Sequence, residues 1–101
     1  MAHDNRRLKF EWDADKARIN LKKHGVDFEE ASTSFNDPLA KLNYDLDHSF
    51  EEDREIIIGH SIFKRLMIVC FTERTGHRIR IISARLANPR ERKSYEEDKT
   101  D

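Results

Sequence analysis

The chain has 101 residues, of which 37% are apolar and 39% are charged, and its formal net charge is −1. This length suits one domain with one core, so a two-domain protein is excluded. Such a composition would favour disorder if the apolar residues were spread evenly, but they are concentrated in residues 56–58, 66–71 and 79–82. No segment approaches the roughly 20 apolar residues that span a bilayer, and the N-terminus lacks an apolar targeting segment. We therefore expect a cytoplasmic protein with one folded domain.

The N-terminal part of the chain predicts a short edge strand followed by two helices. Residues 8–12 alternate apolar and charged side chains, as a half-buried strand does. Asp13 is an N-cap residue for the first helix, which Gly25 ends in the position after the C-cap. Asp27 begins a capping box for the second helix. The residues at 36–38, Asn-Asp-Pro, stop that second helix.

The rest of the chain predicts three successive strands and a last helix. Residues 39–46 could form a strand, whereas residues 45–53 are too acidic to be buried and predict a loop. The three strands should form an antiparallel meander, and their predicted bounds are Arg54–Gly59, Arg65–Glu73 and Arg78–Leu86. Asn88 as N-cap and Pro89 at the first helical position predict a charged C-terminal helix that runs to about Glu97.

The alternation of side chains along the strands predicts which residues share a face. The second meander strand has apolar residues on both faces, so it should be central, with helices on one face and a partly polar concave face on the other. In the third strand, alternation places Arg78 and Arg80 on the face of Ala84 and places Arg85 on the opposite face. An arginine in mid-strand beside isoleucines, as Arg80 is, suggests a function.

Charge is distributed unevenly along the chain. Residues 27–55 have a balance of −8, whereas residues 60–95 have a balance of +7, and seven of the nine bases in the second segment are arginine. Both sets could be solvated faces, but arginine suits planar contact with phosphate. This surface therefore predicts an anionic partner, RNA above all. The histidines and the one cysteine lack the spacings of zinc sites, and no glycine-rich phosphate loop occurs; we expect neither a metal nor another cofactor.

Five segments follow one another along the chain as a recognisable set of motifs. They are Trp12-Asp13-x-x-Lys16, Asn20-Leu21-x-Lys23-His24-Gly25-Val26-x-Phe28-x-x-Ala31, Asp37-Pro38, Arg78-Ile79-Arg80-Ile81-Ile82-Ser83-Ala84-Arg85 and Arg90-Glu91-Arg92-x-x-Tyr95-Glu96. Together and in this order, these segments resemble the BrnT toxins. The resemblance implies a bacterial type II toxin with a RelE-like fold that cleaves RNA without a metal and so blocks translation. It also implies a cognate BrnA-like antitoxin with a ribbon-helix-helix DNA-binding part, through which the complex represses its own operon. The toxin itself would then contact DNA only indirectly, through the antitoxin.

The expected fold class is α+β and RelE-like. Its small antiparallel sheet would consist of the three-strand meander and the N-terminal edge strand, with two N-terminal helices packed on it and a C-terminal helix. The resemblance runs from about Phe10 to Glu97, which gives a toxin domain at 10–97, a charged and disordered extension at 1–9, and a charged tail at 98–101. The resemblance indicates no role for the extension.

Two other functions fit the same residues. A non-enzymatic module that binds RNA or the ribosome would need the same basic face, because phosphate binding and phosphate cleavage use the same residue types. A toxin of this kind could also act on another target, as the gyrase-poisoning members of the wider RelE-like superfamily do. In vitro cleavage separates these hypotheses.

Candidate site residues come from the charge stabilisation and proton transfers that RNA cleavage needs. Arg80 is the first candidate for the phosphate clamp, although its head could instead pair with a carboxylate such as Glu73. Arg85 is the second candidate, and a structural salt bridge is its alternative. Further arginines are expected to contact RNA phosphates, namely Arg54, Arg65, Arg78, Arg90 and Arg92.

Three residues are candidates for acid–base catalysis, and each has a structural alternative. His24 ends the first helix, where the dipole favours the imidazolium and suits a general acid; it could simply bond the last carbonyl groups. Glu73 could be a base or a structural ion-pair partner. Tyr95 could donate a proton or stack on a base, or it could pack the last helix against the domain. The sequence does not assign the general acid and the general base among them.

Overall fold

The fold is built on a five-stranded mixed sheet. The computed structural model describes residues 8–44 and 53–99; residues 1–7, 45–52 and 100–101 lie outside the described part. Its elements in chain order are β1 (Lys9–Glu11), α1 (Ala14–His24), α2 (Phe28–Thr33), a 3-10 helix (Ser34–Asn36), β2 (Lys41–Tyr44), β3 (Arg54–His60), β4 (Leu66–Arg74), β5 (Arg78–Leu86) and α3 (Pro89–Lys99). The α+β class predicted from the sequence is confirmed.

The sheet differs from the expected one in having a fifth strand, β2, and in the direction of β1. Its strand order is β1-β5-β4-β3-β2, and β1 pairs with β5 in parallel, whereas the other pairs are antiparallel. The expected wholly antiparallel sheet is therefore wrong, because β1 meets a strand from the far end of the chain, whose direction local sequence does not indicate. The segment that could form a strand does so as β2, and β4 lies at the centre as predicted.

The helix boundaries follow the predicted capping residues. The Asp13 side chain accepts a hydrogen bond from the Lys16 amide at 3.0 Å, and Gly25, with φ 71°, ends α1. The Asp27 side chain accepts from the amide of Glu30 at 2.6 Å at the start of α2. α3 continues to Lys99, beyond the predicted end, and the predicted domain boundary at residue 10 falls inside β1. No helix in the described part of the chain is long and apolar enough to cross a membrane.

The main core lies between α1, α2 and one face of the sheet. Val26, Phe28 and Ala31 from the helical layer pack against Val69 and Phe71 of β4, among others. We call the opposite sheet face the open face. α3 packs on the open face through Tyr95, which joins the smaller cluster of Ile58 and Leu66.

A β-bulge changes the side-chain alternation of β5. Cys70 pairs with Ser83, but the next residue of β4, Phe71, pairs with Ile81, so β5 has one additional residue at this point. The bulge returns Arg85 to the same face as Arg80 and points Ala84 into the core. The predicted separation of Arg80 and Arg85 onto opposite faces is wrong, because strict alternation assumes a strand without bulges.

Part of the β5 edge is covered by a side chain instead of a strand. β1 pairs only with Arg78, Ile79 and Arg80 of β5. Further along, the buried Asn20 of α1 donates from Nδ2 to the Ala84 carbonyl at 2.7 Å and accepts from the Ala84 amide at 3.1 Å. The amide group of Asn20 thus bonds to the edge as a neighbouring strand does and holds α1 against β5.

Candidate nucleic-acid interface

A row of polar side chains crosses the open face at one end of the sheet. The strand register places Arg54, Thr72, Arg80 and Glu11 next to one another on β3, β4, β5 and β1. The row is held on strands, so its side chains start from fixed positions. The Thr72 hydroxyl in the middle of the row is buried and has no hydrogen-bond partner among the described residues.

Three guanidinium groups converge on one carboxylate in this row. We call Arg74, Arg78 and Arg80 the arginine cluster; their nitrogens lie 3.9, 3.2 and 3.4 Å from the carboxylate oxygens of Glu11. Each of these contacts involves one nitrogen, and the side chains remain partly exposed. The three guanidinium groups share the one carboxylate of Glu11, so nitrogens that Glu11 does not engage remain to bind a further anion.

Arg65 lies outside the arginine cluster and forms a structural ion pair. Its Nε and Nη2 donate to the two carboxylate oxygens of the buried Glu30 at 2.9 and 2.5 Å, and the Ser61 hydroxyl donates to the same carboxylate at 2.7 Å. The hydrogen bond from Arg65 is the main cause that lowers the pKa of Glu30. The pair joins α2 to the turn between β3 and β4, so Arg65 stabilises the fold.

Arg85 also forms a two-point ion pair, although it lies on the open face. Its two terminal nitrogens donate to Glu91 at 2.8 and 2.7 Å. Glu91 in turn accepts from the amide of Asn88 at 2.8 Å, and the Asn88 side chain accepts from the Glu91 amide. Arg85 lowers the pKa of Glu91 by hydrogen bonding to its charged form. This network fixes the start of α3 against β5.

Tyr95 anchors α3 on the open face. Its ring is 2% exposed, and its hydroxyl donates to Oδ2 of Asp37 at 2.7 Å. The His60 amide donates to the same oxygen at 2.7 Å, and the His60 ring packs edge-on against Tyr95. Burial and the hydrogen bond to Asp37 raise the pKa of Tyr95. The phenol therefore stays protonated at neutral pH and acts as a packing and hydrogen-bonding group.

Of the other two acid–base candidates, His24 lies away from the arginine cluster, whereas Glu73 lines a surface pocket together with Arg74 and Arg78. His24 ends α1, which packs on the opposite side of the sheet. Glu73 follows Thr72 and points to the helical side, where it lines an apolar slot beside Glu55. Burial and the charge of Glu73 raise the pKa of Glu55. The carboxylate beside Arg80 is Glu11, not Glu73.

A groove separates α3 from the part of the open face next to the row. We call it the α3 groove; it has a volume of about 410 Å³. Its floor consists of three isoleucines, Ile56, Ile58 and Ile68, and its rim includes Lys41, Asn43, Arg90 and Ser94.

The sequence matches, over residues 12–91, the family described as ribonuclease toxin, BrnT, of type II toxin–antitoxin system. The chain belongs to this family. A type II toxin–antitoxin family implies a cognate antitoxin as partner. The fold is similar to that of the ribonuclease toxin BrnT from Brucella abortus, at 26% sequence identity and a TM-score of 0.64, over 80% of this chain and 97% of that chain. A search of curated proteins found no match.

Within this BrnT-family chain, the predicted phosphate contacts fall into separate groups. Arg78 is in the arginine cluster, Arg54 is in the row, and Arg90 lines the α3 groove. Arg65 is in the Glu30 ion pair, and Arg92 is exposed on α3 without lining the groove. In residues 8–44 and 53–99, no three potential metal-ligating side chains come together.

Sequence reasoning missed Glu11, Thr72, Lys41 and Asn43. Each gains its position from a neighbouring strand, and β1 is the sequence-distant partner of β5. Glu11 had one local signal, because it alternates with Phe10 in a half-buried strand. The family match gives no further signal for Glu11, because the matched range begins at residue 12.

Proposed function

We propose that the open face binds RNA and cleaves it without a metal ion, and that this cleavage blocks translation. The RelE-like character of the fold is part of the proposal. The observation that supports it best is the arginine cluster around Glu11. Two-point ion pairs already engage Arg65 and Arg85, whereas the three arginines of the cluster share one carboxylate through single contacts on rigid strands.

The arginine cluster would stabilise the charge that develops on phosphorus. In metal-independent cleavage the 2′ oxygen attacks the phosphorus, the bond to the 5′ oxygen breaks, and a 2′,3′-cyclic phosphate forms. Arg80 lies between the isoleucines of β5 and remains only partly exposed, so water screens its charge less than that of a fully exposed arginine.

Glu11 is the general base in this proposal. When a phosphate takes over the guanidinium groups, the Glu11 carboxylate is left beside the reacting group and accepts the proton of the 2′ hydroxyl. The departing 5′ oxygen takes its proton from water. His24 and Tyr95 receive no acid–base role, because α1 covers the other side of the sheet and Tyr95 is buried against Asp37.

A digest of purified RNA in EDTA tests the proposal. The wild-type protein should cleave, Arg80→Ala should lose about 10²-fold or more in rate, and Glu11→Gln should lose turnover yet still bind RNA. Arg18→Ala is the matched control, since Arg18 is an exposed, ion-paired arginine on α1; it should behave as wild type. Addition of the wild-type protein should stop a cell-free translation reaction.

Three results would contradict the proposal. Cleavage that appears only after a divalent metal is added would refute metal independence. Intact RNA with binding retained would favour a non-enzymatic module that binds RNA or the ribosome. Intact RNA without binding would favour another target.

The partner in this proposal is a BrnA-like ribbon-helix-helix antitoxin that covers the open face. If an acidic part of it pairs with the arginine cluster, its affinity for the toxin should fall as salt rises. Arg80→Ala should weaken this binding, and the toxin–antitoxin complex should bind operator DNA while the toxin alone does not. Affinity that is insensitive to salt would instead indicate an apolar interface.

A further inference from the structure

The α3 groove lies beside the polar row along the strands. Ile56 lies two residues from Arg54 on β3, and Ile68 lies four residues from Thr72 on β4. At about 3.3 Å per residue, the groove floor begins about 7 Å from the row and ends about 13 Å from it. Arg80 of the cluster lies in the same row, two strands from β3, so its backbone is about 12 Å from that of Ile56. An RNA strand held by the cluster at one phosphate can therefore place a base one or two nucleotides away in the groove.

The floor of the groove is apolar but not closed to solvent. Ile56 and Ile68 are partly exposed, although both lie near the middle of the sheet. Side chains at such positions are normally covered, as those on the other face are by α1 and α2. The floor offers a flat apolar surface to a ring, and the volume of about 410 Å³ lies near the lower end of small-molecule sites.

The rim of the groove carries groups that fit a nucleotide. Asn43 is exposed on β2, and its side-chain amide has both donors and an acceptor, which can pair with the edge of a base. Arg90 adds positive charge to the rim, whereas the ammonium nitrogen of Lys41 is buried. The one carboxylate of the lining, Glu91, is already paired with Arg85, so it repels a phosphate less.

We infer that the α3 groove is a nucleobase-binding subsite for single-stranded RNA, in which Asn43 contacts the base edge. This inference rests on the proposed function, since it assumes that RNA is the anion bound by the cluster. A base must leave its stack to lie on the isoleucine floor, which a single strand allows and a duplex does not. The groove therefore selects unpaired RNA and contributes to nucleotide preference.

Equilibrium binding of 2′-O-methyl tetranucleotides tests the subsite without cleavage. An oligonucleotide with normal bases should bind about tenfold more tightly than the same backbone with an abasic position. In Asn43→Leu the spread of affinities among the four bases should shrink by about tenfold, while the salt dependence stays unchanged. Equal affinity for normal and abasic oligonucleotides would overturn the inference.

A pair of tryptophan variants on α3 provides the second measurement. Ser94→Trp fills the groove from its exposed rim and should abolish the difference between normal and abasic oligonucleotides. Lys93→Trp, at an exposed position of α3 that does not line the groove, should keep that difference. Each variant is judged by the ratio of its affinities for the normal and the abasic oligonucleotide, so the effect of the lost Lys93 charge cancels. Circular dichroism checks that both variants fold.

The outcomes separate this inference from the proposed function. If the protein fails to cleave RNA but still distinguishes normal from abasic oligonucleotides, the subsite stands and the nuclease activity is refuted. If the protein cleaves RNA at a rate that does not depend on the base, the subsite is refuted and the nuclease activity stands. If Ser94→Trp blocks antitoxin binding and leaves base preference intact, the groove is a surface for the protein partner and the inference is wrong.

Discussion

The arginine cluster and the arginines of the structural ion pairs should differ in their effect on the salt dependence of RNA binding. Each cation that neutralises a phosphate of a single strand contributes about −0.7 to the slope of log K against log salt. The arginine cluster has three cations, Arg74, Arg78 and Arg80, and Glu11 offsets one of them. The wild-type slope from the cluster should therefore be about −1.4, and Arg80→Ala should change it to about −0.7.

Arg65→Ala is the matched control for this prediction. The Arg65 guanidinium is already neutralised by Glu30, so its loss should lower stability and leave the slope unchanged. The assay is fluorescence anisotropy of 2′-O-methyl RNA between about 50 and 200 mM salt, with variants shown to be folded. The reasoning is refuted if Arg65→Ala reduces the slope as much as Arg80→Ala does, or if Arg80→Ala leaves the slope unchanged.

Three further predictions concern stability and can be measured by urea unfolding. Glu30→Gln should cost about 2 kcal/mol, because it removes a charged hydrogen-bond partner of Arg65. Folding lowers the pKa of Glu30, so the ion pair should contribute fully to the free energy of unfolding above the ordinary pKa of glutamate. This contribution should be lost as the pH falls through the lower pKa of the folded state, and Glu30→Gln should not show it. Tyr95→Phe should cost about 1 kcal/mol, because one hydrogen bond to Asp37 is lost; a neutral result would mean that this bond adds nothing. Gly59→Ala should cost about 1–3 kcal/mol, because its Cβ would lie 2.9 Å from a backbone oxygen of the 3-10 helix.

Local sequence predicted the elements whose signals lie within a few residues. Asp13 and Asp27 begin their helices through side-chain hydrogen bonds to amides three residues later, and Gly25 ends α1 at a positive φ. The apolar runs of the meander became β3, β4 and β5. These features depend on short-range geometry, which the order of residues specifies directly.

The candidate site was predicted only in part. Arg80 was recognised because an arginine in mid-strand is unusual, and it does lie on the open face with Arg78. Its carboxylate neighbour was not predicted, because Glu11 comes from a strand 69 positions away along the chain. Arg65 and Arg85 looked equally suited to phosphate until their partners were known; the ion pairs with Glu30 and Glu91 depend on which surfaces pack together.

The sequence by itself determined the α+β class and the basic second half of the chain, since composition and local periodicity decide which segments form helices and strands. Tertiary structure decided what the arginines do. The additional residue of β5 opposite Cys70 and Phe71 put Arg80 and Arg85 on one face. The parallel pairing of β1 brought Glu11 to the arginine cluster. Both follow from strand register, which is set by contacts between distant residues and not by the pattern within one strand.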